Sequence, residues 1–177
     1  GTKKPLRIQM VASKSNLCIP ESSSKQFHEF GHCIIENVAT NPQLLNLETA
    51  INEICHHTYL QKLPVGSHVN YADPEKTIVN SLHRLDELGH SRLVKFVEET
   101  GLAKIASSLL DSEVFLFSMQ AFLKPAGFGL STPPHQDNAY WCHEGTGGIT
   151  IWLAMDDAGP ENGMMKYAQS YNNTLLK

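Results

Sequence analysis

Two residues of complementary chemistry stand two apart in the stretch Pro133-Pro134-His135-Gln136-Asp137-Asn138-Ala139-Tyr140-Trp141. If the segment runs extended, side chains two apart share a face, so His135 and Asp137 point the same way. One imidazole and one carboxylate are two thirds of the two-His-one-carboxylate set. That set holds Fe(II) on one side and leaves the other positions open for oxygen and substrate. The bare three-residue pattern also suits a surface loop, so its meaning depends on the elements that position it.

Those elements read as helices first and strands later. The dipeptide Asn41-Pro42 predicts a helix start, with Asn41 as cap and Pro42 in the first turn. Leu44, Leu47, Ile51, Ile54 and Cys55 then recur at three and four, one helical stripe that ends near His56 and His57. A pair of histidines at a helix C-terminus suits the helix dipole better than a ligand role. Upstream, Ser24 is expected to cap a short helix burying Phe27 and Phe30 and ending at Gly31. Residues 32–38 read as a short strand. Leu82, Leu85 and Leu88 suggest a helix closed by Gly89, and His83 and Arg84 in that layer suit a solvated face better than a polar contribution to a nearby pocket. Two more helices follow: one capped by Ser91 that buries Leu93, Phe96 and Val97, and one over 102–110 after Gly101.

From Val114 the period changes to two. Phe115, Phe117, Met119, Ala121 and Leu123 form one apolar face, expected to pack on the helices. Leu116, Ser118, Gln120, Phe122 and Lys124 form the other, a mixed face that suits a small-molecule pocket. Residues 149–155 read as a further strand, Asn162-Gly163 as a hairpin turn, and 164–168 as the returning strand. Asp156 and Asp157, just before Gly159-Pro160, suit a turn rather than acid–base work. The class is α+β. Tyr140 and Trp141 directly follow the His-x-Asp pair, where they suit either a substrate wall or core packing.

The succession Lys124-Pro125-Ala126-Gly127, His135-Gln136-Asp137-Asn138-Ala139-Tyr140-Trp141, Thr150-Ile151-Trp152-Leu153-Ala154-Met155-Asp156-Asp157 and Glu161-Asn162-Gly163 resembles the phytanoyl-CoA dioxygenase family of Fe(II)/2-oxoglutarate oxygenases. The resemblance runs from Phe27 to about Ala168. It implies a double-stranded β-helix, the cupin-like jelly roll, with N-terminal helices packed on one sheet. On that reading, 1–177 is a single oxygenase domain. Residues 1–112 form the helical layer, and 113–177 form the first part of a jelly roll whose remaining strands lie beyond the chain. The implied cofactors are Fe(II), 2-oxoglutarate as cosubstrate and O2. The implied reaction hydroxylates a small molecule while 2-oxoglutarate becomes succinate and CO2.

The resemblance makes His135 and Asp137 metal ligands and catalytic residues, and Gln136, Trp152 and Phe122 contacts of the cosubstrate pocket. Gln120 shares the Phe122 face, where it would hydrogen-bond cosubstrate or substrate. Tyr140 and Trp141 are the substrate-wall candidates. Related halogenases carry a small residue at the carboxylate position, so Asp137 argues for hydroxylation, desaturation or ring closure. The family's third ligand, a downstream His, and the Arg that binds the distal carboxylate cannot be placed, and they are expected beyond Lys177. His143 does not naturally close a triad with His135 and Asp137 and reads as part of a substrate loop. The alternative from another class is a non-catalytic jelly-roll binding module that has lost its metal.

Composition narrows the rest. The 177 residues suffice for one domain with a sizeable core. A net charge of −4 without a basic run gives no nucleic-acid footprint, and no apolar stretch is long enough to span a bilayer. Cys18, Cys33, Cys55 and Cys142 form no C-x-x-C pair, which argues against a zinc knuckle and fits free thiols in a cytoplasmic protein.

Overall fold

The computed structural model describes residues 19–56, 63, 65–66, 68–88, 91–129, 131–141 and 147–167. Helix α1 (Glu21–Phe30) starts earlier than Ser24, because the Pro20 carbonyl accepts the first N–H groups, those of Ser23 at 2.9 Å and Ser24 at 3.1 Å. It ends as expected at Gly31, left-handed at φ 76°, whose N–H donates to Phe27 O. Helix α2 (Asn41–His56) is capped one residue earlier than the Asn-Pro signal suggests. The Gln43 side-chain oxygen accepts from both the N–H and the hydroxyl of Thr40, each at 2.9 Å. That reach of a Gln back to the cap residue three before it is half of a capping box.

The stripe of α2 buries Leu47, Ala50, Ile51 and Ile54. It packs on α3 (Ser91–Thr100), which buries Leu93, Phe96 and Val97, and an Arg92–Glu53 ion pair bridges the two helices at the surface. Gly101, at φ 71°, turns the chain sharply into α4 (Leu102–Leu110), which contributes Leu102, Ile105 and Leu109 to the same core. Only glycine takes that backbone conformation without strain. The three later helices therefore follow the apolar periodicity of the sequence.

The sheet is small and antiparallel, in the order β1 (Val69–Tyr71), β2 (Val79–Leu82), β3 (Ala121–Phe122). Val69 faces Leu82 and Leu82 faces Ala121, and this row lies against the helical core. Asn70 faces Ser81 and Ser81 faces Phe122 on the opposite side. An irregularity after Asn70 brings Tyr71 opposite Val79. The β1–β2 connection is closed by Asp73, whose carboxylate accepts from the Thr77 N–H and hydroxyl and from the Ile78 N–H.

Several sequence expectations are corrected. Leu82, Leu85 and Leu88 do not share one helix: Leu82 ends β2, and Leu85–Leu88 is a separate 3-10 turn. Leu82 and Leu85 are both fully buried, and it is this shared burial, not a helical face, that their spacing reflects. The stretch 114–123 pairs only at Ala121–Phe122. Phe115 and Phe117 are 69% and 54% exposed, whereas Met119 and Ala121 pack on the core as expected. The cause is a tether: Leu85 N–H donates to Met119 O and Met119 N–H to Asp86 Oδ1, both at 2.9 Å. The chain is thus drawn onto the core from Met119 onward. Residues 32–38, 149–155 and 164–167 are not paired into a sheet among the described residues, although Cys33, Ile35, Val38, Ile149, Leu153 and Met155 still touch the core. The described architecture is α+β, helices with a small antiparallel sheet. His57, Gly89, His143 and Ala168 lie outside the described residues.

Leu93 is completely buried at the α2–α3 contact, so Leu93→Ala should lower unfolding free energy by roughly 2–5 kcal/mol in urea titration. Desolvation raises the Asp73 carboxyl, but hydrogen bonds from the Thr77 N–H, the Thr77 hydroxyl and the Ile78 N–H outweigh it and hold the group below the usual range. A depressed folded-state pKa stabilises above the unfolded value and is lost as pH falls through the folded one. The protection of the Thr77 and Ile78 amides, exchange measured relative to the intrinsic rate at each pH, should therefore fall as pH drops below the ordinary carboxylate range. Asp73→Ala should remove that acid-dependent limb.

Candidate functional site

The His135–Asp137 pair is not carried on a strand. Residues 131–136 are irregular, Asp137 opens a turn, and α5 (Asn138–Trp141) follows at once, with the Tyr140 and Trp141 N–H groups donating to Asp137 O. The two side chains nonetheless converge: His135 Nε2 lies 3.3 Å from Asp137 Oδ1. A proline pair before the histidine and a helical turn after the aspartate achieve what a pleat was expected to do.

The other ends of both groups are held. His135 Nδ1 lies 2.8 Å from Pro133 O. A carbonyl only accepts, so Nδ1 carries the proton and a neutral ring presents the Nε2 lone pair. The Thr150 hydroxyl donates to Asp137 Oδ2. What remains is Nε2 facing a carboxylate oxygen. Two acceptors at that separation repel unless a cation stands between them, either a proton on Nε2 or a metal ion. Imidazole and carboxylate donors of this kind fit a divalent iron-type ion. Outer hydrogen bonds to a carbonyl and a hydroxyl are the usual means of orienting such ligands. No group of three His, Cys, Asp or Glu residues able to hold a metal occurs among the described residues.

Around the pair, the Tyr140 ring meets His135 edge-on at 5.4 Å and is itself 73% exposed. Trp141 is half-buried against Phe117, with ring centroids 6.1 Å apart, and its ring closes over Gly148. Of the two wall candidates, Tyr140 is thus the accessible one and Trp141 is packed. Gln136 is half-buried between the pair, and Trp152 is exposed on the run that carries Thr150. Tyr167 is close enough to feel Asp137, and its ring stacks on His32 at 4.7 Å. Lys124 Nζ donates to Gly163 O at 3.0 Å, which ties the Lys-Pro loop to the Asn162-Gly163 turn. Gly163 sits at φ 84°, and any added Cβ would meet the Lys124 side chain.

Gln120 and Phe122 belong to the outer face of the sheet. There they meet a residue that the sequence reading placed on a solvated helix face. His83 Nε2 is 3.0 Å from Asn70 Nδ2 and 2.9 Å from Ser81 Oγ, its ring meets Phe122 edge-on at 5.8 Å, and it hydrogen-bonds Gln120. Burial pushes the imidazole below its usual range and the charge on His68 adds to this, against the Gln120 hydrogen bond, which favours the charged form. The overlooked residues are Asn70, Ser81, Thr150 and Tyr167, whereas the sequence admits His83 as a pocket group and favours a solvated face for it. The alternation in 79–83 was the available signal for Ser81 and His83, and the leucine spacing masked it. Cys33 and Cys55 are free thiols raised by burial, in keeping with the expected absence of pairing between them. Among the described residues no helix is long and apolar enough to cross a membrane.

A family model described as phytanoyl-CoA dioxygenase (PhyH) matches residues 27–169. The chain is 34% identical over 92 residues to L-proline trans-4-hydroxylase of Streptomyces griseoviridis, a match that covers 50% of this chain and 33% of that protein. The chain therefore spans about a third of the length of that relative. No solved structure matches.

Burial, and then the negative charge of Asp137, raise the Tyr167 phenol above its ordinary value. Asp137→Asn should lower the Tyr167 titration midpoint, followed as phenolate absorbance, but not return it to that of free tyrosine, because burial remains. A midpoint unmoved by the substitution would place the two groups farther apart than described.

Proposed function

Because the chain belongs to the phytanoyl-CoA dioxygenase family, we propose that it forms part of an Fe(II)/2-oxoglutarate-dependent dioxygenase that hydroxylates a small molecule. In the net reaction a substrate C–H bond becomes C–OH, one oxygen atom of O2 enters the product, and 2-oxoglutarate becomes succinate and CO2. The observation that carries this reading is the 3.3 Å convergence of His135 Nε2 and Asp137 Oδ1, with Nδ1 committed to Pro133 O and Oδ2 to Thr150. His135 and Asp137 would hold the metal, and a third ligand would come from residues outside those described. The bound iron supplies the oxygen activation that no side chain provides.

The chain's own residues do the positioning. The Pro133 carbonyl at Nδ1 and the Thr150 hydroxyl at Oδ2 would orient the two side chains as metal ligands. Tyr140, exposed and edge-on to His135, would flank the substrate, and Gln136 and Trp152 would contact the cosubstrate. The similarity to an L-proline hydroxylase makes a small amino acid the first substrate to try. The three-stranded sheet is read as one piece of a double-stranded β-helix completed by other residues.

Asp137→Ala should abolish substrate-dependent succinate formation and lower iron affinity. Thr150→Val should weaken iron binding or activity by roughly tenfold or more, since it removes only an orienting hydrogen bond. Full-length protein loaded with Fe(II) without oxygen should develop a metal-to-ligand charge-transfer band on addition of 2-oxoglutarate. Neither band nor binding would favour a non-catalytic jelly-roll module instead.

A further inference from the structure

Helix α5 is a single turn of four residues, Asn138–Trp141, and a turn that short does not hold itself in water. Its Tyr140 and Trp141 N–H groups donate to Asp137 O at 3.0 and 3.2 Å, which joins the turn to the Asp137 backbone. The Trp141 ring joins both to neighbouring runs of the chain. It meets Phe117, with ring centroids 6.1 Å apart and planes tilted by 60°. It also lies over Gly148, where an added Cβ would stand 3.5 Å from Cζ3 and 3.7 Å from Cε3.

Two residues past Gly148 stands Thr150, whose hydroxyl donates to Asp137 Oδ2. The contacts therefore close a circuit. It runs from Asp137 O to the Trp141 N–H, from the Trp141 ring to Gly148, along the chain to Thr150, and back to the same aspartate. A hydrogen bond weakens steeply once its distance and angle drift. The spacing between the Asp137 turn and the Thr150 run thus decides whether the carboxylate stays oriented, and the Trp141 ring spans that spacing at Gly148. The adjacent Tyr140 ring is 73% exposed, whereas Trp141 is half-buried, which suits a brace rather than a surface offered to a ligand.

We propose that Trp141 is a positioning residue: its ring, braced against Phe117 and Gly148, sets the distance between the Asp137 turn and the Thr150 run, and so keeps Asp137 Oδ2 on Thr150 and Oδ1 toward His135. The proposal rests on the oxygenase reading, in which His135 and Asp137 hold the metal. It makes Trp141 act on metal binding through Thr150 rather than by touching substrate. With a narrower side chain at 141 the turn and the run shift against each other, and the Thr150 hydroxyl loses its aspartate. The carboxylate then turns away from His135 Nε2 for part of the time.

The test is calorimetric titration of full-length protein with Mn(II), a divalent ion suited to the same imidazole and carboxylate donors. The proteins compared are wild type, Trp141→Leu, Trp141→Phe, Thr150→Val and the double variant Trp141→Leu/Thr150→Val. Trp141→Leu keeps apolar bulk but removes the ring, and it should weaken Mn(II) binding by roughly tenfold, about as much as Thr150→Val alone. Trp141→Phe, which restores a ring, should recover most of that loss. In the Thr150→Val background Trp141→Leu should cost no more than about a further twofold, because the residues act as one unit. The visible bands of Co(II)-loaded protein should shift alike in Trp141→Leu and Thr150→Val, since both disturb the same ligand. Independently of any variant, proton NMR of metal-free wild type should show Overhauser contacts between the Trp141 Hζ3 and the Gly148 α protons. Their absence overturns the brace. So does Mn(II) affinity that Trp141→Leu leaves intact, or a loss that adds in full to that of Thr150→Val. Wild-type protein that binds no Mn(II) overturns the oxygenase reading itself, and the Trp141 proposal with it.

Discussion

The packing of one sheet face against the helices decides most of what this molecule presents to solvent. Val69, Leu82 and Ala121 form a row across three strands, and the first two are fully buried on the α2–α4 core. A pleated strand has only two faces, so burying one row sends its sequence neighbours to the other. Asn70, Ser81, His83, Gln120 and Phe122 are gathered on the outer face by that parity alone. Five residues from three separated stretches become neighbours because their apolar neighbours had to be buried.

The same economy shapes the tether at Met119. The 3-10 turn Leu85–Leu88 donates from Leu85 N–H and accepts at Asp86, gripping both sides of the Met119 peptide. Backbone groups this close to a core must find partners. These partners also fix where the strand run joins the core, which is why Phe115 and Phe117 project outward while Met119 and Ala121 turn in.

The His135–Asp137 pair shows a different kind of control. No sheet positions it. Pro133 supplies a carbonyl to Nδ1, the Tyr140 and Trp141 N–H groups of α5 donate to Asp137 O, and the Thr150 hydroxyl, thirteen residues on, donates to Oδ2. Three local constraints bring His135 Nε2 within 3.3 Å of Asp137 Oδ1. The pair lies within the stretch that the phytanoyl-CoA dioxygenase family model matches.

By itself, the sequence determined the family, the α+β class and the helices α2, α3 and α4. The helices rest on short-range causes, apolar residues three and four apart and a glycine after a helix, whereas the His135–Asp137 pair converges through a turn and not through the strand that its spacing suggested. Cap and strand ends were less legible, because Thr40 and Pro20 act through a backbone geometry that residue type does not specify. Only the tertiary structure decided that Leu82 and Leu85 belong to different elements, since burial on a strand and burial on a 3-10 turn select the same residue type. It alone brought His83 to Asn70 and Gln120, contacts that span 13 and 37 positions. Hydrogen bonds at that separation depend on strand register, and register is set by which row the helices bury, not by anything written next to His83.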